Sequence, residues 1–204
     1  MIRKQYQKIM AFFYDPFMKT LEKVLVRNRT ELIENIYGKV LEVGSGTGVN
    51  FELFAQKNAE IYAIEPSVPM YKRALKQQAG KENIKVFNIG IEDVLRHKEM
   101  PKQYDFVISM LVLCTVEDAQ KAAKIYHSLL KENGKLLVLE HIHSQGTLYG
   151  KFQTFVNPIW KPFADGCNLT RRQDQILKET GFKPIEEKYF KLGTDWYQAV
   201  MIKK

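Results

Sequence analysis

Hydrophobic positions along this 204-residue chain follow two alternating rhythms. From Lys39 onward, short β-branched runs alternate with longer amphipathic stretches, the pattern of βαβ units wound about a parallel sheet. Five runs predict successive strands: Lys39 to Val43, Glu60 to Ile64, Ile84 to Ile89, Phe106 to Ser109 and Lys135 to Glu140. Helical segments fill the gaps between them. The turn Glu132-Asn133-Gly134-Lys135 predicts positive φ at Gly134, ending a helix just before the fifth strand. After Glu140 the rhythm breaks into a stretch rich in Gly, Pro and aromatic residues. A helix is then expected from about Arg171 to Thr180, stopped at Gly181, with two last strands near Ile185 to Lys191 and Trp196 to Ile202. At the front, Tyr6, Ile9, Met10, Phe13, Phe17, Leu21 and Leu25 recur at spacings of three and four, a helical pattern that Pro16 must kink or split.

This order predicts an α/β fold: a doubly wound, mostly parallel seven-stranded sheet with helices on both faces. One domain is expected, in which residues 1–35 form an N-terminal helical cap, 36–145 a cofactor-binding core, and 146–204 an acceptor-side segment with the C-terminal strands. No repeat or shift of composition marks a second domain. Charge and cysteines narrow the picture. The formal charge of +8 is spread along the whole chain with no aromatic-interleaved basic motif, so nucleic acid is not an expected partner. Cys114 and Cys167 show neither CxxC spacing nor the density of a disulfide scaffold, so a cytoplasmic compartment is expected and no metal site. No apolar run approaches the ~20 residues of a membrane span, and no signal-peptide order is present at the N-terminus. The basic N-terminal segment, with Arg3, Lys4, Lys8, Lys19 and Lys23, suits either a solvated face or a reversible contact with the inner face of an anionic membrane.

The chemistry concentrates after the first strand. Val40-Leu41-Glu42-Val43-Gly44-Ser45-Gly46-Thr47-Gly48 leads a buried strand into a glycine-rich turn, placing ligand-binding backbone at the carboxyl edge of the sheet. A dinucleotide fingerprint would want a small residue at position 49, where Val49 stands. Glu42 would repel a pyrophosphate but suits the ammonium and sulfonium of S-adenosylmethionine. Glu65, with Pro66 beside it, ends the second strand where ribose hydroxyls are met, and Ile91, Glu92 and Asp93 are placed to frame an adenine. Each piece also fits a plainer role: a strand-to-helix turn, a solvated strand end, and charges answering a helix dipole.

Together these residues resemble the class I methyltransferases, which are Rossmann-like, over roughly residues 35 to 145. More narrowly, the chain is similar to the methyltransferase-like family that includes the animal alkyl-thiol methyltransferases. Leu41 to Gly48, Leu111 to Val116, Leu139-Glu140-His141, Asn157-Pro158-Ile159-Trp160 and Asp165 to Thr170 carry that likeness. The resemblance implies that Glu42, Gly44, Ser45, Gly46 and Gly48 hold the methionine end, Glu65 and Pro66 the ribose, Ile91 and Glu92 the adenine, and Ser109, Met110 and Leu111 the other face of the cofactor. Where many class I relatives have an Asp near position 90, this chain has Gly90. The animal proteins also begin with a longer membrane anchor, which does not carry over.

The implied activity is methyl transfer from S-adenosylmethionine to a small, hydrophobic acceptor such as an alkyl thiol. Alternatives are a phospholipid or quinone-type methyltransferase and, from another class, a non-catalytic cofactor-binding regulatory protein. No Asn-Pro-Pro-Tyr type motif follows strand four, where Ser109-Met110-Leu111-Val112 stands, which argues against a nucleic-acid methyltransferase. Only a few per cent of a thiol with pKa near ~8.5 is thiolate at neutral pH, so a neighbouring base or cation would raise the reactive fraction. His141 is the expected base or orienting group, with Asp165 over the same mouth; a backbone-bonded strand-end histidine is the plainer alternative. Cys114 is read as a small buried apolar side chain. The aromatic residues Phe152, Phe155, Trp160 and Phe163 are expected either to pack or to line an acceptor lid.

Overall fold

A computed structural model of the chain describes residues 23–204; the expected helix over Tyr6 to Leu21, and its membrane contact, lie outside the described residues. The described part opens on α1 (residues 23–33) and continues β1 (Gly38–Val43), α2 (Phe51–Ala55), β2 (Ala59–Ile64), α3 (Val68–Gln78), β3 (Ile84–Phe87) and a single 3-10 turn, Ile91–Asp93. It then runs β4 (Tyr104–Met110), α4 (Ala119–Leu129), β5 (Leu130–Ile142), α5 (Leu148–Phe163), α6 (Gln173–Glu179), β6 (Phe182–Leu192) and β7 (Thr194–Lys203). The seven strands form one sheet in the order β3-β2-β1-β4-β5-β7-β6. All neighbours are parallel up to β5, and the final hairpin inserts β7 antiparallel between β5 and β6. The expected fold class and all seven strands are therefore present.

Why the sheet is wound on both sides follows from the period of two in strands buried on both faces. Leu41, Val43, Val107, Leu136 and Val138 join one core with Ala122, Ala123 and Tyr126 of α4 and Leu177 of α6. The intervening Val40, Ile61, Ile108, Leu137 and Leu139 join the other with Leu25, Leu32 and Ile33 of α1, Phe51 and Phe54 of α2 and Ala74 of α3. The strand order reverses between β1 and β4, which opens a crevice at their carboxyl edge.

One expectation is corrected, and one element is added. Gly134 has no positive φ: the ladder itself starts at Leu130, paired with Tyr104, and skips to Lys135 opposite Phe106, so Gly134 lies inside a bulge. The stretch after Glu140, to which the sequence assigned no element, contains the 16-residue helix α5. Thr147 caps it by accepting from the Gly150 amide at 2.9 Å, while Pro158 and Pro162 lie within it, residues that ordinarily end a helix. Its buried side is narrow, chiefly Gly150 and Gln153, and Gln153 ties it to the Ser144 amide and the Thr194 hydroxyl.

Candidate active site

At the carboxyl edge of β1 the chain turns sharply through Gly44. A side chain there would meet Val112 Cγ2 at 2.8 Å, and its φ of +63° lies in the left-handed region, so only glycine fits between β1 and the segment after β4. The Ser45 amide then donates to the Ile64 carbonyl, tying the loop to β2. The helix expected directly after the loop begins only at Phe51, after a run of turns.

Glu42 is buried on the face of the sheet shared with α1 and α2. Asn50 donates to its Oε1 at 2.7 Å, and Asn50 Oδ1 in turn accepts from Arg29 at 2.9 Å. The second oxygen, Oε2, is buried with no partner, and so is the hydroxyl of Ser45 two residues past the strand. Burial pushes the Glu42 carboxyl up to about 7, with Glu65 adding to the rise and Asn50 and Arg29 opposing it. A buried carboxylate oxygen lacking a donor is the vacancy a cationic ammonium satisfies, and the donor set of the site fits S-adenosylmethionine. Asn50 and Arg29 had no signal in the sequence; they act by fixing Glu42.

Glu65 serves the loop as well as facing the crevice. Its Oε2 accepts from the Gly46 amide at 2.9 Å and its Oε1 from the Ser67 amide at 2.7 Å. Each oxygen keeps a further lone pair for a ribose hydroxyl. Pro66 follows it, and the Pro66 carbonyl accepts from Asn88. Burial raises the Glu65 carboxyl, the Ser67 and Gly46 amides oppose the rise, and the charge of Asp165 adds to it. Ile91 is buried under the 3-10 turn, whereas Glu92 is exposed and folds back: a Cβ placed on Gly90 would lie 3.2 Å from Glu92 Oε2. The Glu92 carboxylate thus stands where a side chain at position 90 would begin.

Across the crevice, Ser109 points into the opposite core, where its hydroxyl meets Tyr126 and Glu140, so only its backbone faces the cofactor side. Met110 Sδ lies 3.8 Å from Asn50 Nδ2, on the Glu42 side. Leu111 adopts φ +62°, rare for a non-glycine residue, at the point where β4 turns away. Glu140 pins the next two residues: its Oε1 accepts from the amides of Val112 at 2.8 Å and Leu113 at 2.9 Å. Burial raises its carboxyl to about 7 despite those two donors.

His141, next along β5, faces the other way, toward Trp196 and the Glu42 side of the sheet. It is not bonded to backbone among the described residues; its Nε2 lies 3.1 Å from Cys167 Sγ. His143, by contrast, bonds the Gly150 carbonyl and the Thr154 hydroxyl in α5. Cys167 lies on the loop after α5, turned by Asp165 at φ +48° and Gly166 at φ +89°. Cys114 lies close to both, so no spacing in the sequence announced the cluster that the fold assembles. A hydrogen bond from Cys114 and one from His141 hold the Cys167 thiol well below its ordinary range. Burial disfavours a proton on His141, but the partnership with Cys167 outweighs it and raises the imidazole.

Residues 10–187 match the family model of the methyltransferase domain, and the chain belongs to that family. It is an S-adenosylmethionine-dependent methyltransferase. A thiol S-methyltransferase of Homo sapiens is 25% identical over 201 residues, covering 93% of this chain and 82% of that one. Another, from Rattus norvegicus, is 28% identical over 149 residues, spanning 72% of this chain and 61% of its own length. Among solved structures, a Haemonchus contortus phosphoethanolamine N-methyltransferase with bound S-adenosylhomocysteine superposes with TM-score 0.64 at 16% identity, over 83% of this chain and 49% of that one.

Proposed function

We propose that the protein transfers the methyl group of S-adenosylmethionine to a small hydrophobic thiol. The observation that carries this reading is the placement of the His141–Cys167 pair on the same sheet face as Glu42, at the same carboxyl edge. β1 and β5 stand two strand spacings apart, about 10 Å, with Met110 of β4 between them. That separation accommodates a donor on the β1 side and an acceptor sulfur on the β5 side. The human relative, whose alignment runs into the acceptor-side segment, bears a thiol S-methyltransferase name and supports the acceptor class.

Bound S-adenosylmethionine supplies an electrophilic methyl on a sulfonium, open to in-line displacement. The chain's part is alignment and exclusion of water. Glu42, braced by Asn50 and Arg29, fixes the ammonium end; Glu65 fixes the ribose; Glu140, through the amides of Val112 and Leu113, fixes the segment that closes against Gly44. His141, held against Cys167, orients the acceptor, while Asp165 and Gly166 turn the loop that carries Cys167. The test is product analysis: purified protein with S-adenosylmethionine and a panel of alkyl thiols, amines and alcohols, reading methyl thioether and S-adenosylhomocysteine. Thiol-selective transfer that is slowed in His141→Gln, with cofactor affinity kept, is the expected result; transfer to amines or alcohols in preference to thiols overturns the acceptor assignment.

A second feature favours work at a lipid surface. Leu148, Phe152, Phe155, Ile159 and Phe163 follow one another along α5 at helical spacing, and all are exposed. No helix of the described residues is long and apolar enough to cross a membrane. Such a stripe supports peripheral contact with the inner face of a membrane from a cytoplasmic location, or a lipophilic acceptor entering from one. Sedimentation with anionic vesicles, abolished by Phe155→Asp, is the expected result; equal sedimentation of both proteins removes the contact from α5.

A further inference from the structure

Cys114, His141 and Cys167 come from three separate segments, yet each presents one ligand atom within 4.8 Å of the others. Cys114 and His141 are buried and Cys167 is partly so. In a tetrahedral zinc site the metal–sulfur distance is ~2.3 Å and the metal–nitrogen distance ~2.0–2.1 Å. Those lengths place ligand sulfurs about 3.8 Å apart and sulfur and nitrogen about 3.6 Å apart. The Nε2···Sγ distance of 3.1 Å between His141 and Cys167 therefore needs to open by only a fraction of an ångström.

The three segments are also held by bonds that involve none of the ligand atoms. The Asn168 amide donates to the Cys114 carbonyl at 2.8 Å, the His143 amide to the Arg171 carbonyl at 3.0 Å, and the Arg171 guanidinium to the carbonyls of Leu113 and Val116. A Cβ on Gly166 would touch the Thr115 carbonyl at 3.0 Å, so glycine lets the Cys167 loop close onto the Cys114 loop. The scaffold is thus set before any ion arrives, as a metal site requires. His141 Nδ1 is buried without a partner.

We propose that Cys114, Cys167 and His141 bind a thiophilic divalent cation of the zinc class, leaving one coordination position open for the acceptor thiolate. The second half of this statement rests on the thiol reading given above; the first does not. Three protein ligands with an open fourth position define a catalytic rather than a closed structural site, and two thiolates with one imidazole favour a soft cation over magnesium or calcium. The acceptor thiol loses its proton to solvent as its sulfur joins the metal. That sulfur then forms a bond to the sulfonium methyl, the pair of the broken carbon–sulfur bond stays on the departing thioether, and the neutral methyl thioether, a weaker ligand, leaves the metal. Electrons and charge balance without an oxidant or reductant.

The experiment uses the full chain, reduced with a phosphine, stripped of metal and titrated with zinc chloride or cobalt(II) chloride. Metal content is measured after desalting, and the cobalt protein is followed by visible absorption before and after an alkyl thiol is added. One metal per chain, with sulfur-to-cobalt charge transfer and strong tetrahedral d–d bands, is the expected result. Cys114→Ser and Cys167→Ser, each checked by circular dichroism for an unchanged fold, should lose stoichiometric binding. A folded, reduced wild-type chain that retains no metal overturns the site, whatever the thiol-transfer assay gives. Stoichiometric metal whose cobalt spectrum ignores the thiol overturns the open position; thiol transfer that persists undiminished in the stripped protein overturns its part in the reaction while sparing the acceptor assignment.

Discussion

Replacing Glu42 by Gln should stabilise the free protein and weaken S-adenosylmethionine binding, two effects of opposite sign from one change. The carboxyl is held at about 7 rather than 4.5 because burial penalises the charged form; Glu65 adds to that penalty, and the Asn50 amide and Arg29 guanidinium reduce it without cancelling it. In free-energy terms the folded protein resists ionising this group by roughly 3 kcal/mol. The sign follows from linkage. Below pH 4.5 the carboxyl is protonated whether the chain is folded or not, and it makes no difference to stability. As pH rises from 4.5 through 7 the unfolded chain ionises freely while the fold retains the proton, so stability falls and by pH 8 the full penalty is present. Glu42→Gln removes it, and at roughly 2–4 °C per kcal/mol the free variant should melt several degrees higher at pH 8, with little difference near pH 4.5. Binding reverses the preference, because a cationic ammonium beside Oε2 favours the carboxylate. At pH 6 the wild-type site, still largely protonated when free, should then release most of a proton on binding, read by calorimetry in buffers of different ionisation enthalpy. The Gln variant should release none at this position and bind about ten- to a hundredfold more weakly, the range of one charge-assisted hydrogen bond. Equal affinity and equal proton release in the two proteins would refute the assignment of Glu42 to the ammonium.

Three further substitutions probe the parts around that carboxylate. Gly44→Ala forces a side chain into left-handed backbone against Val112 and should cost about 1–3 kcal/mol in thermal unfolding together with much of the cofactor affinity. Glu65→Ala should weaken cofactor binding by about 1–3 kcal/mol, and because the Gly46 and Ser67 amides lose their acceptor, hydrogen exchange at both should quicken; unchanged affinity in the folded variant removes the ribose role. Asn50→Ala leaves Glu42 without its buried donor, so urea denaturation should show a loss of about 1–3 kcal/mol at pH 8 that shrinks toward pH 5 as Glu42 takes up its proton.

The core of the fold was legible because strands buried on both faces read as short apolar runs, whether at Val40 to Val43, broken only by Glu42, or at Leu136 to Leu139. Helix α5 was not, since Pro158 and Pro162 are local stop signals and the reward for overriding them lies in contacts with Ser144 and Thr194 at its other end. Gly134 misled for a related reason: a glycine in a strand marks a bulge as readily as a turn, and only the partner strand decides which. Among site residues, Glu42 and Glu65 announced themselves through their place at strand ends. Asn50 acts on Glu42 from eight residues away and Arg29 acts through Asn50, a relation that depends on tertiary packing. Cys114 and Cys167 illustrate the same limit, for only the closure of the loop after α5 onto the loop after β4 makes neighbours of them.

In the proposed reaction the adjacent pair Glu140 and His141 makes β5 a common mount: Glu140 steadies the segment of Val112 and Leu113 that closes against Gly44, and His141 faces Cys167 on the other side of the sheet. A slip of one residue in this strand would exchange their faces and undo both at once. The neighbours forbid that slip, because β5 is paired with β4 on one side and along eight residues with β7 on the other. The antiparallel last strand thereby fixes the register on which the proposed alignment of donor and acceptor depends.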